Sequence, residues 1–188
     1  MRKILIIALF LGLFSCESVN TPINKTDNLH KEVKPAKSYT TKFCKKNKKL
    51  WAKSFLGKQA PEFTVEGWVT EKPDFNDKFI LIDFWGLHCP QCKKAIPELN
   101  KISKKYKDKL VVVGIASSTK NRIKAMKGHK INYYSAFDTM AKLKRKYKVK
   151  GIPHVVIVAP DNTVVWEGYP FLGEDRLTIE KVGDILNK

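Results

Sequence analysis

The hydrophobic and polar positions divide this chain into an apolar start, a polar segment, and a longer region in which strand and helix patterns alternate. Residues 79–84 form a short run rich in branched and aromatic side chains, which predicts a buried strand. From residue 93 to residue 106, apolar positions recur at three- and four-residue steps between lysines, which predicts an amphipathic helix. The continuous apolar run over 111–115 predicts a second strand, buried on both faces.

Similar patterns continue to the end of the chain, and a short alternation precedes the first strand. Strand, helix, strand and helix, followed by a hairpin and a helix, predict an α/β fold with a central mixed sheet flanked by helices. An added N-terminal β-hairpin is predicted over 63–65 and 68–69. The remaining predicted elements are a helix from Ser118 or Thr119 to about 127, a strand over 133–137, a helix over 140–147 capped by Asp138 or Thr139, a hairpin over 155–158 and 163–167, and a last helix from Glu174 or Asp175.

Two cysteines, Cys89 and Cys92, are separated by two residues where the first strand gives way to the helix. The helix start has unpaired N–H groups and the positive end of the dipole, which favour a thiolate at Cys89. A second cysteine close by can then resolve a mixed disulfide. A zinc site would need two more ligands, and neither Cys16 nor Cys44 lies in a second such pair. The spacing therefore predicts a redox pair, with no metal and no cofactor.

Three separated segments resemble the thioredoxin superfamily. Residues 83–97, with Asp83-Phe84-Trp85-Gly86 and Cys89-Pro90-Gln91-Cys92-Lys93, are similar to the thioredoxin active-site segment. Gly151-Ile152-Pro153 is similar to its cis-proline loop, and residues 57–63 resemble the opening segment of TlpA/ResA-type thiol–disulfide oxidoreductases. The resemblance covers about residues 57–187 and implies a thioredoxin-like fold. Two positions depart from the pattern: His88 replaces the usual tryptophan, and Ala95 replaces a glutamate of the ResA-type proteins.

We expect Cys89, at the helix start, to be the nucleophile and Cys92, one turn deeper, to be the resolving cysteine. Positive charge from Lys93, Lys94 and His88 would lower the pKa of the Cys89 thiol. The resemblance places Asp83 at the buried acid of thioredoxin, where burial would raise its pKa and let it exchange a proton with Cys92. The alternative is that Asp83 points outward and is solvated.

Other residues are expected to shape the site or bind substrate. The resemblance implies that Pro153 is a cis-proline facing the cysteines, and that Ile152 offers backbone groups to a substrate strand. Trp85 would pack beside the disulfide or serve only the core, and His88 would tune Cys89, contact substrate or be a neutral surface residue. The complete set of site-shaping residues is Trp85, His88, Pro90, Gln91, Ile152 and Pro153.

The resemblance implies a monomeric reductase of disulfides in cysteine-containing exported proteins, supplied by a membrane thiol electron donor. We expect a reduction potential of roughly −270 to −120 mV, between thioredoxin and the strong oxidants. One alternative is a peroxiredoxin-like thiol peroxidase, but that class has a threonine where this chain has Gly86. Another is a redox-inert docking module, against which the two intact cysteines argue.

Residues 1–15 are predicted to be a lipoprotein signal peptide. Arg2 and Lys3 precede an apolar run over 4–14 that is too short to span a bilayer comfortably. Its end, Leu13-Phe14-Ser15-Cys16, resembles a lipobox, which implies lipidation of Cys16; an ordinary signal peptide or a membrane anchor is the alternative. We therefore expect an exported bacterial lipoprotein, held on a membrane and facing the periplasm.

Residues 16–54 are polar and lysine-rich and are predicted to be a flexible tether to a thioredoxin-like domain over 55–188. The tether supplies much of the net charge of +18. Without a nucleic-acid-binding motif in an exported protein, we expect no nucleic-acid partner; attraction to anionic lipid and a plain solvated spacer stay open. Cys44 is either an incidental thiol or a cross-link to another chain.

Overall fold

The computed structural model describes residues 39, 41, 50–171 and 176–187. Within these residues the chain forms one mixed sheet with helices packed on it. In chain order the elements are β1 (Gly67–Trp68), β2 (Phe79–Trp85), α1 (Pro90–Lys105), β3 (Leu110–Ala116), α2 (Lys120–Lys124), β4 (Tyr134–Phe137), α3 (Lys142–Lys146), β5 (His154–Val158), β6 (Val164–Gly168) and α4 (Ile179–Leu186).

The strand that leads to the cysteines, β2, lies in the middle of the sheet. The strand order is β1-β4-β3-β2-β5-β6, with β2 parallel to β3 and antiparallel to β5. β4 extends the parallel part beside β3, and β6 extends the antiparallel part beside β5. This mixed α/β sheet confirms the predicted fold class, and it explains why β2 is almost wholly buried.

Alternate residues of β2 face two different layers. Leu81 belongs to the cluster that holds Leu99 of α1 and Val182 of α4, so one face of the sheet is covered by these two helices. Ile82 and the next even-numbered positions belong to a second cluster with α3. Asp83 and Trp85 share the face of Leu81, because side chains two residues apart on a strand point the same way. The α1 face is therefore the one that carries the site.

The predicted N-terminal hairpin is wrong. Residues 63–65 form no strand, and the two residues of β1 pair antiparallel with β4 at the sheet edge. The aromatic rings of Phe63, Trp68 and Phe75 pack on one another, with centroids 5.3–6.2 Å apart. The alternation in the sequence thus reflects an aromatic cluster at the edge of the core. Its side chains are spaced along the chain as in a strand, but residues 63–65 make no strand pairing.

Several predicted helix boundaries also move. α2 ends at Lys124, and α3 is shorter than predicted because Ala141 before it adopts a left-handed backbone conformation, with φ of 51°. Asp138 still serves this helix, since its Oδ2 accepts a hydrogen bond from the Leu143 N–H at 2.9 Å. The last helix begins at Ile179 after Thr178, whose hydroxyl accepts from the Lys181 N–H at 3.2 Å; Glu174 and Asp175 lie outside the described residues.

Part of the predicted tether contacts the domain. The Trp51 carbonyl accepts hydrogen bonds from the backbone of Lys150 at 2.6 Å and of Gly151 at 3.3 Å. The Ser54 hydroxyl and the Phe55 N–H both donate to the side chain of Glu167, which is 1% exposed. A buried carboxylate needs donors, and these two residues supply them. The polar, lysine-rich composition of the predicted tether did not indicate these contacts with Glu167.

The predicted signal peptide, Cys16 and Cys44 lie outside the described residues, so they stay predictions. In the part of the chain that the structure describes, no helix has the length and apolar character needed to cross a bilayer.

Candidate active site

Cys89 is the residue that starts α1. Its backbone is extended, with φ −98° and ψ 103°, and its Sγ accepts a hydrogen bond from the Cys92 N–H at 3.1 Å. Pro90 follows at the first helical position, where its missing N–H has no partner to lose. The helix therefore begins three residues earlier than its apolar periodicity predicted, because the cysteine itself is the cap.

The two cysteines form a disulfide with an S–S distance of 2.11 Å. Cys92 is fully buried in a cluster with Trp85, Ala116 and Ile123, whereas Cys89 is half-buried at the surface. A sulfur of a substrate can reach Cys89 but not Cys92. Cys89 is therefore the sulfur that is open to a substrate, and the roles of nucleophile and resolving cysteine stay predictions.

The loop across from the disulfide contains a cis peptide bond between Ile152 and Pro153. The Ile152 carbonyl oxygen lies 3.9 Å from the Sγ of Cys89. A Cβ atom added at Gly86 would stand 3.0 Å from the Cδ1 of Ile152, so a side chain there would crowd this loop. Gly86 lets the two loops approach closely, and it occupies the position at which a peroxidase would need a threonine.

Asp83 is fully buried, which decides between the two orientations left open by the sequence. It lies on the α1 face of β2, between Leu81, which packs with the middle of α1, and Trp85, which packs with Cys92. Burial raises the pKa of its carboxyl to about 7, and the nearby Tyr133 hydroxyl opposes part of that rise. A carboxyl with this pKa can hold or release a proton near neutral pH.

Tyr133 is a site residue that sequence reasoning missed. Its hydroxyl is buried, and burial together with the charge of Asp83 raises the Tyr133 pKa well above its usual value. Among the described residues, neither oxygen of the Asp83 carboxyl has a hydrogen bond of ordinary geometry, so the contact with Tyr133 is long or poorly aligned. The Tyr133 hydroxyl is therefore the polar neighbour that influences this carboxyl.

Strand pairing explains how Tyr133 reaches the site. Asp83 is paired with Gly114 of β3, and a Cβ atom at Gly114 would lie 2.9 Å from the Tyr133 ring and 3.1 Å from the Trp85 Nε1. The missing side chain at Gly114 thus leaves room for both rings beside Asp83. Tyr133 immediately precedes β4, and only the pairing of β3 with β4 brings it here. No local sequence signal marks it.

A cleft of about 350 Å³ opens beside Cys89. Its lining includes Trp85, His88 and Ile152, which were predicted site residues, and Arg122 and Lys144, which were not. Pro90 and Gln91 are exposed at the start of α1 and do not line it. The structure therefore brings half of the predicted site-shaping residues together at one opening and adds two cations to it.

His88 meets Arg122 with 3.2 Å between the His88 Nε2 and the guanidinium. A guanidinium only donates hydrogen bonds, so the His88 Nε2 is the acceptor in this contact. The role of His88 beside Cys89 stays a prediction. Arg122, which follows Thr119 at the start of α2, adds a cation to the same cleft.

A thioredoxin-type sheet, a disulfide at the start of α1 and a cis-proline loop facing it define a class of proteins. These features are those of a thioredoxin-like thiol–disulfide oxidoreductase.

Comparison with known proteins gives the family. A family model described as thioredoxin-like matches residues 76–164. Thiol-disulfide oxidoreductase ResA of Bacillus thuringiensis subsp. konkukian is 30% identical over 118 residues, covering 60% of this chain and 68% of that protein. ResA of Bacillus subtilis is 29% identical over 115 residues, covering 58% of this chain and 64% of that protein. The chain belongs to the ResA family of thiol–disulfide oxidoreductases.

Solved structures agree on the fold. The thioredoxin domain of a thiol-disulfide oxidoreductase from Bacteroides vulgatus matches with a TM-score of 0.59 at 24% identity, covering 70% of this chain and 98% of that one. A thiol:disulfide interchange protein from Bacteroides sp. matches with a TM-score of 0.57 at 25% identity, covering 71% of this chain and 91% of that one. Both likenesses extend over most of the described domain.

Proposed function

We propose that this oxidoreductase is a reductase of disulfides in exported proteins, with Cys89 as nucleophile, Cys92 as resolving cysteine and Asp83 as the proton acceptor. The observation that carries the proposal is the difference in burial between the two sulfurs: Cys89 is accessible, and Cys92 is fully buried on the same face as a buried acid. That arrangement suits two successive thiol–disulfide exchanges.

The reaction begins with the reduced protein. The Cys89 thiolate attacks one sulfur of a substrate disulfide, forming a mixed disulfide and releasing the other substrate sulfur as a thiolate, which takes a proton from water. The Cys92 thiol then loses its proton and attacks the Cys89 sulfur, which breaks the mixed disulfide and releases the second substrate thiolate. Two electrons pass to the substrate, and the protein is left with the disulfide seen in the structure.

Asp83 serves the second exchange. A buried thiol is a poor nucleophile until it is deprotonated, and Cys92 is fully buried. The ionised Asp83 carboxylate can accept the Cys92 proton and pass it to solvent later. Its raised pKa, about 7, makes it a strong enough base for this step while leaving much of it ionised near neutral pH.

The reducing direction is supported by family membership more than by local charge. Arg122 beside the cleft and the start of α1 favour the Cys89 thiolate, which makes the disulfide more oxidising. A membrane thiol donor that keeps the pair reduced would nevertheless drive it as a reductant. We therefore propose a reduction potential of roughly −270 to −120 mV. We also propose that lipidated Cys16 holds the protein on a membrane, with the domain facing the periplasm.

Trapping tests this function. In Cys92→Ser, the lone Cys89 should remain joined to its partners, and disulfide-linked exported proteins should be recovered from cells. The matched control Cys89→Ser should trap nothing, because the buried Cys92 cannot reach them. Trapping by Cys89→Ser in place of Cys92→Ser would reverse the roles, and no trapped protein from either one would contradict the proposed function.

The direction has its own test. Rapid acid quenching and thiol labelling of cells should find Cys89 and Cys92 mostly reduced at steady state. A predominantly disulfide-bonded pair would favour an oxidase or an isomerase.

The lipid anchor is tested separately. Cys16→Ser should remove lipid labelling and leave a soluble or uncleaved form, whereas a lipid-labelled membrane band would contradict the lipobox.

A further inference from the structure

We propose that the cleft beside Cys89 selects disulfides whose flanking residues are acidic, with Arg122 and Lys144 as the residues that recognise them. This inference rests on the proposed function, since it names the kind of polypeptide segment that the same site would reduce. It does not depend on the identity of any one exported protein.

The lining of the cleft is one-sided in charge. Arg122 comes from α2 and Lys144 from α3, and they line the same opening as Cys89. Among the described residues, no Asp or Glu lines it. Two cations from separate elements thus line the opening beside the nucleophile, and the described part of the lining holds no carboxylate to neutralise them.

Neither cation is committed to a carboxylate of the described domain. The ion pairs found among the described residues join Lys101 to Glu98 and Lys146 to Glu62, and none involves Arg122 or Lys144. The contact of Arg122 is with the His88 imidazole, which carries no carboxylate and so orients the guanidinium without cancelling its charge. Both side chains can therefore pair with carboxylates of a bound segment.

A substrate segment would contact Arg122 and Lys144 while its disulfide lies within reach of Cys89. The Ile152 carbonyl, 3.9 Å from the Cys89 Sγ, can accept a backbone hydrogen bond from an extended segment. Residues flanking the substrate cysteine would then lie over the cleft. Opposite charges at such exposed positions raise association rates modestly, so we expect a preference of roughly 3- to 10-fold for acidic over basic flanks.

The test uses two synthetic disulfide-bonded peptides that differ only in carrying Asp or Lys on both sides of the cysteine. Reduced full-length protein is mixed with each peptide, and the rate constant of thiol–disulfide exchange is measured. The Asp peptide should react roughly 3- to 10-fold faster at low salt, and the ratio should fall toward one as salt is added. The Arg122→Gln/Lys144→Gln double variant should bring the ratio close to one at low salt as well.

The control is Lys107→Glu, which changes an exposed residue just beyond the C-terminal end of α1. The 16 residues of α1 span about 24 Å, so this position is far from Cys89. It should keep the wild-type ratio, which separates the cleft from overall charge. A ratio near one in the wild type, or the same ratio in the double variant as in Lys107→Glu, would overturn the inference and leave the proposed function intact. Failure of both peptides to exchange would instead overturn the proposed function and this inference with it.

Discussion

Asp83 and Glu167 are carboxylates buried in the same sheet, but the chain surrounds them differently. Glu167, on β6, accepts hydrogen bonds from the Ser54 hydroxyl and from the Phe55 N–H at 2.9 Å. Asp83, on β2, has no hydrogen bond of ordinary geometry within the described residues. Its polar neighbour is the Tyr133 hydroxyl, whose contact with the carboxyl is long or poorly aligned. A buried carboxylate with donors can join two segments, whereas one without them resists ionisation and holds its proton.

This difference in hydrogen bonding predicts a structural role for one carboxylate and a chemical role for the other. We expect Glu167 to contribute mainly to stability, because it ties the start of the domain to the sheet edge. We expect Asp83 to cost stability when it is ionised and to act in proton transfer with Cys92.

Asp83→Asn should slow the resolution of the mixed disulfide by roughly 10²- to 10⁴-fold, because the amide cannot accept the Cys92 proton. In the wild type the rate of this step should rise with pH through about 7, as Asp83 ionises. The variant should lose that inflection and accumulate the mixed disulfide in quenched single-turnover samples. Glu167→Gln, the matched change at the other buried carboxylate, should resolve at the wild-type rate; equal slowing in both variants would erase the contrast.

Asp83 should also make stability depend on pH. Its pKa is raised by burial from an ordinary value of 3.8 to about 7, so the folded state binds the proton more tightly than the unfolded state. Stability should therefore be greatest below about pH 4 for this group and should fall as pH rises to about 7, by about 3 to 4 kcal/mol. Denaturant unfolding of the oxidised protein, wild type against Asp83→Asn, measures it. A constant difference between the two from pH 4 to pH 8 would contradict the buried, unsatisfied carboxyl.

Glu167→Gln should lower the free energy of unfolding by about 2 kcal/mol, because the neutral side chain accepts more weakly from Ser54 and Phe55. Ser54→Ala should lose less, since it removes one donor and leaves the backbone contact of Phe55 in place. Chemical unfolding at a fixed pH compares them. No loss in either variant would show that the segment before residue 55 contributes nothing to the stability of the domain.

Tyr133→Phe should have the smallest effect. The tyrosine hydroxyl lowers the pKa of Asp83, so removing it should move the pH midpoint of mixed-disulfide resolution upward. Packing should change little, because the ring is retained. The matched control is Tyr147→Phe, which removes a buried hydroxyl on the other face of the sheet and should leave the midpoint unchanged. A downward shift in Tyr133→Phe would show that the hydroxyl stabilises the protonated acid instead.

The residues nearest the reaction could be predicted from sequence because they lie on one continuous segment. β2, the cap Cys89 and the buried Cys92 follow one another along the chain. Strand periodicity predicted β2, and the two-residue spacing at the strand-to-helix junction marked the cysteines, although helix periodicity placed the start of α1 three residues late. The fold class could be predicted for the same reason, since element order limits the possible sheets.

The remaining site residues come from distant parts of the chain. Tyr133 reaches Asp83 only through the register of β3 and β4, and Arg122 and Lys144 reach the cleft only through the packing of α2 and α3. A sequence records neither register nor packing. The failed hairpin has a similar cause, because alternating aromatic residues fit a cluster at the sheet edge as well as a strand.

The most direct test of the account is the titration of the Asp83 carboxyl itself. Aspartate labelled with ¹³C at the carboxyl carbon, observed by NMR in the oxidised protein and assigned with Asp83→Asn, reports that ionisation alone. We expect one aspartate signal with a midpoint at about pH 7. A midpoint near 3.8, the ordinary value, would mean that the carboxyl is solvated or satisfied and would remove it as the proton acceptor for Cys92.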